Sequence, residues 1–234
     1  MKHIVFLTGA GISVESGLST FRGANGLWNN HKIEDVCTIE AWEKNPNYVN
    51  AFYNDLRKKL PEIMPNKAHH LVADLEKSYQ VTVITQNVDD LHERAGSSHV
   101  VHLHGELLKA CSSLNKEDQS QWTMLDPNHP NISIGEKAAD GSLLRPYIVW
   151  FGENVPLMTK AIDLVKQADI LVVVGTSLNV YPAADLVHYA SRHAELIVIN
   201  PEPSNINTNQ GVWHIHKRAT EGMQLLCEYL KQQN

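Results

Sequence analysis

The sequence predicts an α/β protein with a doubly wound, mostly parallel, Rossmann-like sheet and a small inserted module. Short apolar runs alternate along the chain with segments of helical spacing, as in folds built from strand–helix–strand units. The runs are continuously apolar, which indicates strands that are covered on both faces. A glycine turn, Gly9-Ala10-Gly11, directly follows the first run. At 234 residues, the chain is long enough for one large domain with a small additional lobe.

The predicted strands are β-branched runs bounded by polar residues or glycine, and the predicted helices lie between them. The strands cover residues 3–8, 81–85, 100–103, 148–150, 170–174 and 196–199. The helices cover residues 48–60, 67–78, 90–95, 159–166, 183–193 and 220–230. Their alternation predicts that helical crossovers join consecutive strands of one parallel sheet.

Two segments interrupt the alternation and predict the domain organisation. Residues 19–45 are polar and glycine-rich, and residues 111–144 are rich in turn-forming residues and poor in aliphatic ones. The expected small domain consists of a helical part, residues 31–60, and the inserted module, residues 111–144. The expected Rossmann-like domain consists of residues 1–30, 61–110 and 145–234.

Composition narrows the functional classes. The net charge is −6 and no dense basic run occurs, which argues against nucleic acid as a partner. No apolar run approaches the roughly 20 residues that span a bilayer, so we expect no membrane association. The three cysteines form no CxxC pair, which favours reduced thiols and a cytoplasmic location.

Polar and small residues follow five of the predicted strands. They are Gly9-Ala10-Gly11 with Ser13, Gln86-Asn87 with Asp89, His104 with Gly105, Gly175-Thr176-Ser177, and Asn200. Ligands of open parallel sheets bind beyond the carboxyl ends of the strands. The sequence therefore predicts one polar crevice at this edge.

The glycine turn has two interpretations. Small residues let the backbone approach a pyrophosphate closely, at the N-terminus of the helix that follows. The turn could instead be a tight strand-to-helix connection without a ligand, since Val14 replaces the third glycine of the usual motif and no acidic residue ends a second strand. The second glycine turn at Gly175 favours a ligand, and Asn200 could then bind a ribose hydroxyl.

His104 also has competing interpretations. His102 and His104 are two residues apart and share one face of a strand, a spacing that could hold a metal ion. A core histidine with satisfied hydrogen bonds is the simplest alternative. We favour a general base, because His104 follows a strand end, with Asn87 and Asp89 expected nearby.

Six ordered motifs resemble those of one family, the sirtuins, which are NAD-dependent protein lysine deacylases. The motifs are GAGIS with GLSTFRGANGLW (9–13 and 17–28), TQNVDDLHERAG (85–96), HLHGELLK (102–109), RPYIVWFGE (145–153), GTSLNVYPAA (175–184) and INPEPS (199–204). The resemblance covers almost the whole chain. It implies a sirtuin-like fold and the consumption of NAD with release of nicotinamide, O-acyl-ADP-ribose and free lysine.

The resemblance implies roles for individual residues. His104 would be the general base, acting on the ribose hydroxyls, with Asn87 as a second catalytic residue, and Asn87 and Asp89 would shape the nicotinamide pocket. Phe21 would shield the activated sugar from water. The implied NAD-binding residues are Gly9, Ala10, Gly11, Ser13, Phe21, Arg22, Trp28, Gln86, Asn87, Asp89, Gly175, Thr176, Ser177, Asn200, Glu202 and Ala219.

An acyl-lysine protein or peptide would bind as an added strand between residues 149–153 and 178–181, since backbone pairing reads little sequence. Its acyl-lysine side chain would enter an apolar tunnel. The implied substrate-binding residues are Tyr53, Arg57, Val149, Phe151, Gly152, Glu153 and Val180.

The chain departs from the family in its cysteines. Most sirtuins hold a structural zinc ion with four cysteines in the small domain, whereas this chain has only Cys111 in the inserted module, residues 111–144. His129, Asp118 and Asp126 have no spacing typical of a tetrahedral site. We therefore predict that the module binds no zinc or other metal.

A second departure concerns the acyl group. One sirtuin subclass binds succinyl-lysine with a Tyr and an Arg three residues apart; here Tyr53 matches, but the later position is Leu56 and Arg57 is displaced by one. One residue turns a helical side chain by about 100°. Arg57 is long enough to reach the pocket if the helix register shifts, but we expect it to face solvent and acetyl groups to be removed better than succinyl groups.

Two other functions use the same pocket. An NAD hydrolase or ADP-ribosyltransferase would need a different acceptor. A non-catalytic NAD sensor would need no general base, and the presence of His104 disfavours it.

Overall fold

The computed structural model describes residues 1–19, 31–203, 206, 208 and 211–233. Nine strands are found in this part of the chain. They are β1 (His3–Thr8), β2 (Gln80–Thr85), β3 (Val100–His102), β4 (Gly105–Ser112), β5 (Thr123–Met124), β6 (Leu144–Ile148), β7 (Ile170–Val174), β8 (Glu195–Ile199) and β9 (Val212–Ile215).

Six of these strands form the main sheet, in the order β3-β2-β1-β7-β8-β9. Every neighbouring pair in it is parallel. The strand order reverses between β1 and β7, which is where open α/β sheets bind ligands. The prediction of a doubly wound parallel sheet is confirmed.

The central strands are apolar throughout because both faces of the sheet are covered. All residues of β1 and β7 are buried. Ile4 and Phe6 pack in one core cluster, whereas Val5 and Leu7 pack in the other. Alternate side chains of a strand point to opposite faces, so a continuous apolar run serves both cores.

Seven α-helices are described. They are α1 (Ile33–Val36), α2 (Ile39–Lys44), α3 (Pro46–Lys59), α4 (Lys67–Asp74), α5 (Leu91–Ala95), α6 (Met158–Lys166) and α7 (Ala219–Gln232). Side-chain caps fix the starts of two: Asn45 accepts from the Tyr48 N–H before α3, and Asn66 forms a capping box with His69 before α4. None of the described helices is long and apolar enough to cross a membrane.

Strands β4 and β5 were not predicted, and three further elements differ from the prediction. The helix predicted over residues 183–193 is a 3₁₀ segment, Ala183–Tyr189. The strand predicted over residues 148–150 is wrong, because β6 ends at Ile148 and the Trp150 N–H donates to the Glu153 carboxylate. The half-exposed edge strand β9 lacks the apolar run by which the buried strands are predicted.

The inserted module is framed by a second, three-stranded sheet in the order β5-β4-β6, with antiparallel pairing. A small cluster comprising Ala110, Leu125, Ile132, Ala138 and Leu144 forms its core. Strands β4 and β6 pair with each other and lie mostly in ranges that the sequence assigned to the Rossmann-like domain. Helices α1 to α3 form a third apolar cluster with Leu107 and Ile148 of this sheet and with Trp150, which follows β6.

Candidate functional site

The two glycine turns cross at the carboxyl ends of β1 and β7. The Gly11 N–H donates to the Gly175 carbonyl oxygen at 2.8 Å. A Cβ atom at Gly11 would lie 2.6 Å from Gly175 Cα, and one at Gly9 would lie 2.7 Å from Thr176 Cβ. The glycines are therefore required by the close contact of the two turns, in addition to any contact with a phosphate. The helix that follows is a 3₁₀ helix, Ala10–Ser16, in place of the α-helix that the motif suggests.

Ser13, Asn87 and Asp89 form a buried polar cluster beside this crossing. Asn87 Nδ2 donates to the Gly9 carbonyl oxygen and to Ser13 Oγ, both at 3.2 Å, and Ser13 Oγ donates to Asp89 Oδ2 at 3.3 Å. Burial raises the pKa of Asp89 to about 6, although the N–H of Leu91 lowers it. The structure thus brings together Ser13, which follows β1, with Asn87 and Asp89, which both follow β2.

Two buried histidines behind this cluster were missed by the sequence reasoning. His69 Nε2 lies 3.5 Å from Ser13 Oγ, and the His92 ring lies 4.9 Å from the His69 ring. Burial lowers the pKa of His69 to about 4 and that of His92 well below its ordinary value, so both rings are neutral at pH 7. The capping position of His69, three residues after Asn66, is the one sequence signal that could have identified either ring.

His102 and His104 contact successive main-chain carbonyl groups and not a common metal position. His104 Nδ1 lies 3.0 Å from the Gln86 carbonyl oxygen, and His102 Nδ1 lies 3.0 Å from that of Asn87. His102 Nε2 also contacts Glu93 at 2.7 Å. Burial lowers the pKa of His104, so its ring is neutral at pH 7. The side chains of Asn87 and Asp89, expected beside His104, bond to Ser13 instead.

The remaining predicted cofactor residues surround the same edge of the main sheet. Gln86 Nε2 donates to Thr176 Oγ1 at 3.2 Å, and Asn200 Nδ2 donates to the Glu202 carbonyl oxygen at 2.9 Å. Ala219 is the first residue of α7, while Ser177 is exposed. The predicted residues Phe21, Arg22 and Trp28 lie outside the described residues.

An ion pair between Arg145 and Glu153 lies beside the predicted peptide edge, residues 149–153. Arg145 contacts both carboxylate oxygens of Glu153, at 2.8 and 3.1 Å, and its guanidinium carbon lies 3.4 Å from the centre of the Trp150 ring. Although burial opposes it, Arg145 lowers the pKa of Glu153. The Glu153 side chain therefore has internal partners, whereas Phe151 (39% exposed) and Gly152 are accessible.

On the opposite side of the proposed peptide strand, Val180 is half-buried and Tyr181 is exposed. Leu178 packs against the same core cluster as Val155, which follows the 149–153 segment. Both predicted flanks of the peptide thus adjoin one apolar core.

The residues of α3 that were considered for acyl-group recognition differ from the expectation in the direction of Arg57. Tyr53 is buried, and its hydroxyl accepts from Trp150 Nε1 at 3.0 Å. Leu56 packs against the cluster that contains both rings. The expectation that Arg57 faces solvent is wrong: its side chain is 0% exposed, because Nε donates to the Leu107 carbonyl oxygen and Nη1 to Asn54 Oδ1.

The module contains a hydrogen-bonded cluster around the buried Ser112, with Ser142 half-buried and Asp140 exposed. Ser112 Oγ accepts from the Leu114 and Asn115 N–H groups at 3.0 Å, contacts Ser142 Oγ at 2.9 Å and donates to Asp140. Cys111 is buried beside the Pro146 carbonyl oxygen, and burial raises the pKa of its thiol to about 11. Within the described ranges, no group of three or more His, Cys, Asp or Glu side chains could hold a metal ion. Asp126 bonds His129, and Asp118 caps a 3₁₀ turn.

Comparison with known proteins places these features in context. The model of the Sir2 family matches residues 9–182. The NAD-dependent protein deacylase of Bacteroides thetaiotaomicron is 52% identical over 230 residues, which cover 98% of each chain. A Sir2 homologue solved in complex with ADP-ribose has a TM-score of 0.87 at 38% identity and is covered to 92%, against 99% of this chain. Another, solved in complex with NAD, has a TM-score of 0.84 at 38% identity, with 99% of this chain and 90% of that one covered.

Proposed function

The chain belongs to the Sir2 family and is an NAD-dependent protein deacylase, and we propose that it removes acetyl and other uncharged acyl groups better than succinyl groups. The observation that carries this preference is the apolar packing of Leu56 beside Tyr53 and Trp150. Arg57 points instead to the Leu107 carbonyl oxygen and Asn54. A succinyl carboxylate beside Leu56 would therefore lose its water without gaining a cationic partner.

The crevice at the crossing of the glycine turns suits NAD. The turns leave no room for side chains at Gly9, Gly11 or Gly175, and they lie where the strand order of the main sheet reverses. NAD supplies the ribose carbon to which the acyl oxygen of the modified lysine adds as nicotinamide leaves. Asn200 and Glu202, beyond the end of β8, would bind the adenosine side.

His104 is the proposed general base. A carbonyl oxygen can only accept, so the contact with Gln86 places the ring proton on Nδ1 and leaves a lone pair on Nε2. Burial keeps the ring neutral at pH 7. Such a ring can take a proton from a ribose hydroxyl that is brought within hydrogen-bond distance of Nε2.

Asn87 and Asp89 are proposed to hold the nicotinamide end. Asn87 is fixed by Gly9 and Ser13, which leaves its Oδ1 to accept from a carboxamide N–H. Asp89 offers a carboxylate to the cationic ring of bound NAD, and an adjacent cation would lower the pKa of this group from about 6. The cluster is already assembled by bonds within the chain.

Acyl-lysine segments of proteins are the proposed second substrate, bound as a strand between residues 149–153 and Val180. The Val149 N–H donates within the chain to the His104 carbonyl oxygen, and the exposed residues Phe151 and Gly152 follow it, which supports an extended peptide beside this segment. The three cysteines are unpaired and the net charge is −6, which supports a cytoplasmic enzyme whose partners are proteins and not nucleic acids or membranes.

The test is NAD turnover on a panel of peptides that differ only in the acyl group on one lysine. We expect nicotinamide and O-acyl-ADP-ribose in equal amounts, with kcat/KM higher for acetyl than for succinyl. Nicotinamide release that does not depend on peptide would indicate an NAD hydrolase. A mass shift of ADP-ribose on the peptide would indicate a transferase.

A further inference from the structure

A cavity of about 280 Å³ lies at the C-terminal end of α3, outside the crevice described above. Its apolar walls include Leu60, Leu108 and Pro127, from the end of α3, strand β4 and the inserted module. Its charged walls are Arg57, Asp90 and Arg94. Apart from Arg57, whose direction differs from the expected one, none of these residues belongs to the proposed NAD or acyl-lysine sites.

Arg57 is a buried cation with an incomplete set of partners. Its two hydrogen-bond acceptors, the Leu107 carbonyl oxygen and Asn54 Oδ1, are both uncharged. Its third nitrogen, Nη2, has no hydrogen-bond partner among the residues that the structure describes. Burial lowers the pKa of Arg57 only to about 10, so the guanidinium is charged at pH 7.

The other two charged side chains of the cavity, Asp90 and Arg94, form an ion pair, although Asp90 Oδ1 also has no hydrogen-bond partner among the described residues. Arg94 Nη1 lies 3.5 Å from Asp90 Oδ1 and 3.2 Å from the Leu60 carbonyl oxygen. The three charged side chains together carry two positive charges and one negative charge, which leaves the cavity with one excess positive charge. Because buried charges in proteins are normally paired, the cavity lacks one anion.

We propose that this cavity binds a small monocarboxylate with an apolar chain, whose carboxylate accepts a hydrogen bond from Arg57. One uncompensated positive charge fits a single carboxylate better than a phosphate dianion. A guanidinium matches the planar shape of a carboxylate, and the walls at Leu60, Leu108 and Pro127 suit an aliphatic chain. The volume is at the lower end of the range for ligand pockets, which indicates a small ligand.

This site is separate from deacylation, so it is tested by binding and not by turnover. Isothermal titration of the full chain without NAD would use butyrate, hexanoate and octanoate, each against its uncharged amide. We expect at least one carboxylate to bind with one site per chain, at least tenfold more tightly than its amide. Equal affinity of acid and amide, or no binding of any of the three acids at 10 mM, would overturn the proposal.

Substitutions of the cavity residues test whether the carboxylate binds at this place. Arg57→Met and Arg94→Gln should each weaken carboxylate binding at least tenfold, whereas Arg192→Gln, at an exposed arginine, should leave it unchanged. Because Arg57→Met removes a buried group and can impair folding, Pro127→Trp serves as a second test: this residue is exposed at the cavity, and a large ring there should block binding without lowering Tm.

A saturating acetyl-lysine peptide separates this cavity from the acyl-lysine site. We expect it to leave carboxylate binding unchanged. Competition by the peptide, or unchanged binding in the Pro127→Trp protein, would place the carboxylate elsewhere and refute the assignment.

Discussion

The Nδ1 atom of His104 lies 3.0 Å from the main-chain carbonyl oxygen of Gln86, and this contact sets the protonation of the ring. Nδ1 must carry the proton, because the carbonyl oxygen can only accept. Burial lowers the pKa of His104 below its ordinary value of 6.5. The free enzyme therefore presents a neutral ring with an available lone pair at pH 7.

Replacing His104 with alanine should reduce kcat/KM for acetyl-peptide by roughly 100- to 10,000-fold, the usual contribution of a general base. In the unmodified protein, kcat/KM should be constant near pH 7 and fall below pH 6.5, as the ring becomes protonated. Asp89, whose pKa is about 6, titrates in the same range, so the profile of Asp89→Asn should keep the fall that belongs to His104. His193→Ala is a control at an exposed histidine. Full activity of the His104→Ala protein would refute the mechanism.

Leu56→Arg should shift the acyl preference from acetyl toward succinyl groups. It places a cation at the position where the succinyl-specific subclass carries one, on the side of α3 that packs against Tyr53 and Trp150. A hydrogen bond to a charged group should raise the succinyl-to-acetyl ratio of kcat/KM by roughly 10- to 100-fold. Leu56→Gln is the matched control, since it adds polarity without charge. A succinyl preference in the unmodified protein that Arg57→Ala abolishes would contradict this assignment.

The sequence predicts the main sheet well because its buried strands are continuously apolar. The predicted and observed bounds of β1 and β7 are the same, since every residue in both strands is buried. The half-exposed strand β9 was missed, because an edge strand with one apolar face has no comparable run.

The sequence predicts only those parts of the candidate site in which residues follow neighbouring strands of the sheet. Ser13 and Asn87 meet because β1 and β2 are neighbours in a parallel sheet. His69 and His92 reach the same cluster from α4 and α5, and the sequence does not indicate that the packing of these two helices brings the rings together. The burial of Arg57 depends on the carbonyl group of Leu107, 50 residues away along the chain, which helical spacing alone does not indicate.

The Arg145–Glu153 pair should contribute to the free energy of unfolding, and its contribution should depend on pH. Glu153→Gln leaves the buried guanidinium of Arg145 unpaired, which should lower the free energy of unfolding by roughly 3 to 5 kcal/mol at pH 7. The folded-state pKa of Glu153 is below its ordinary value of 4.5, so its stabilisation is complete above that pH and is lost as the pH falls further. Urea unfolding should thus show the difference between the two proteins shrinking below pH 4.5. Glu43→Gln, at an exposed glutamate, is the control and should leave the free energy of unfolding at pH 7 nearly unchanged.

Two alanine substitutions distinguish the free-energy cost of backbone strain at a glycine from the cost of forcing the two glycine turns apart. Gly135 and Gly175 both have left-handed backbones, with φ of +74° and +63°. A Cβ atom at Gly135 would meet nothing within 4 Å, whereas one at Gly175 would lie 2.4 Å from the Ile12 nitrogen. Gly135→Ala should cost about 1 to 2 kcal/mol, and Gly175→Ala should cost roughly 1 to 3 kcal/mol more and weaken NAD binding. Equal losses in urea unfolding would show that the turns separate without cost.

The inserted module should hold its shape without zinc. Ser112 joins the end of β4 to the turn before β6 through Ser142 and Asp140. Ser112→Ala should lower the free energy of unfolding by about 1 to 3 kcal/mol, because two N–H groups that donate to the buried hydroxyl lose their acceptor. Ser113→Ala, at the adjacent serine, is the matched control. Chelator treatment should leave Tm unchanged, since the Cys111 thiol is buried and protonated at pH 7. One tightly bound zinc ion per chain in metal analysis of the purified protein would show that the module is fastened by metal after all.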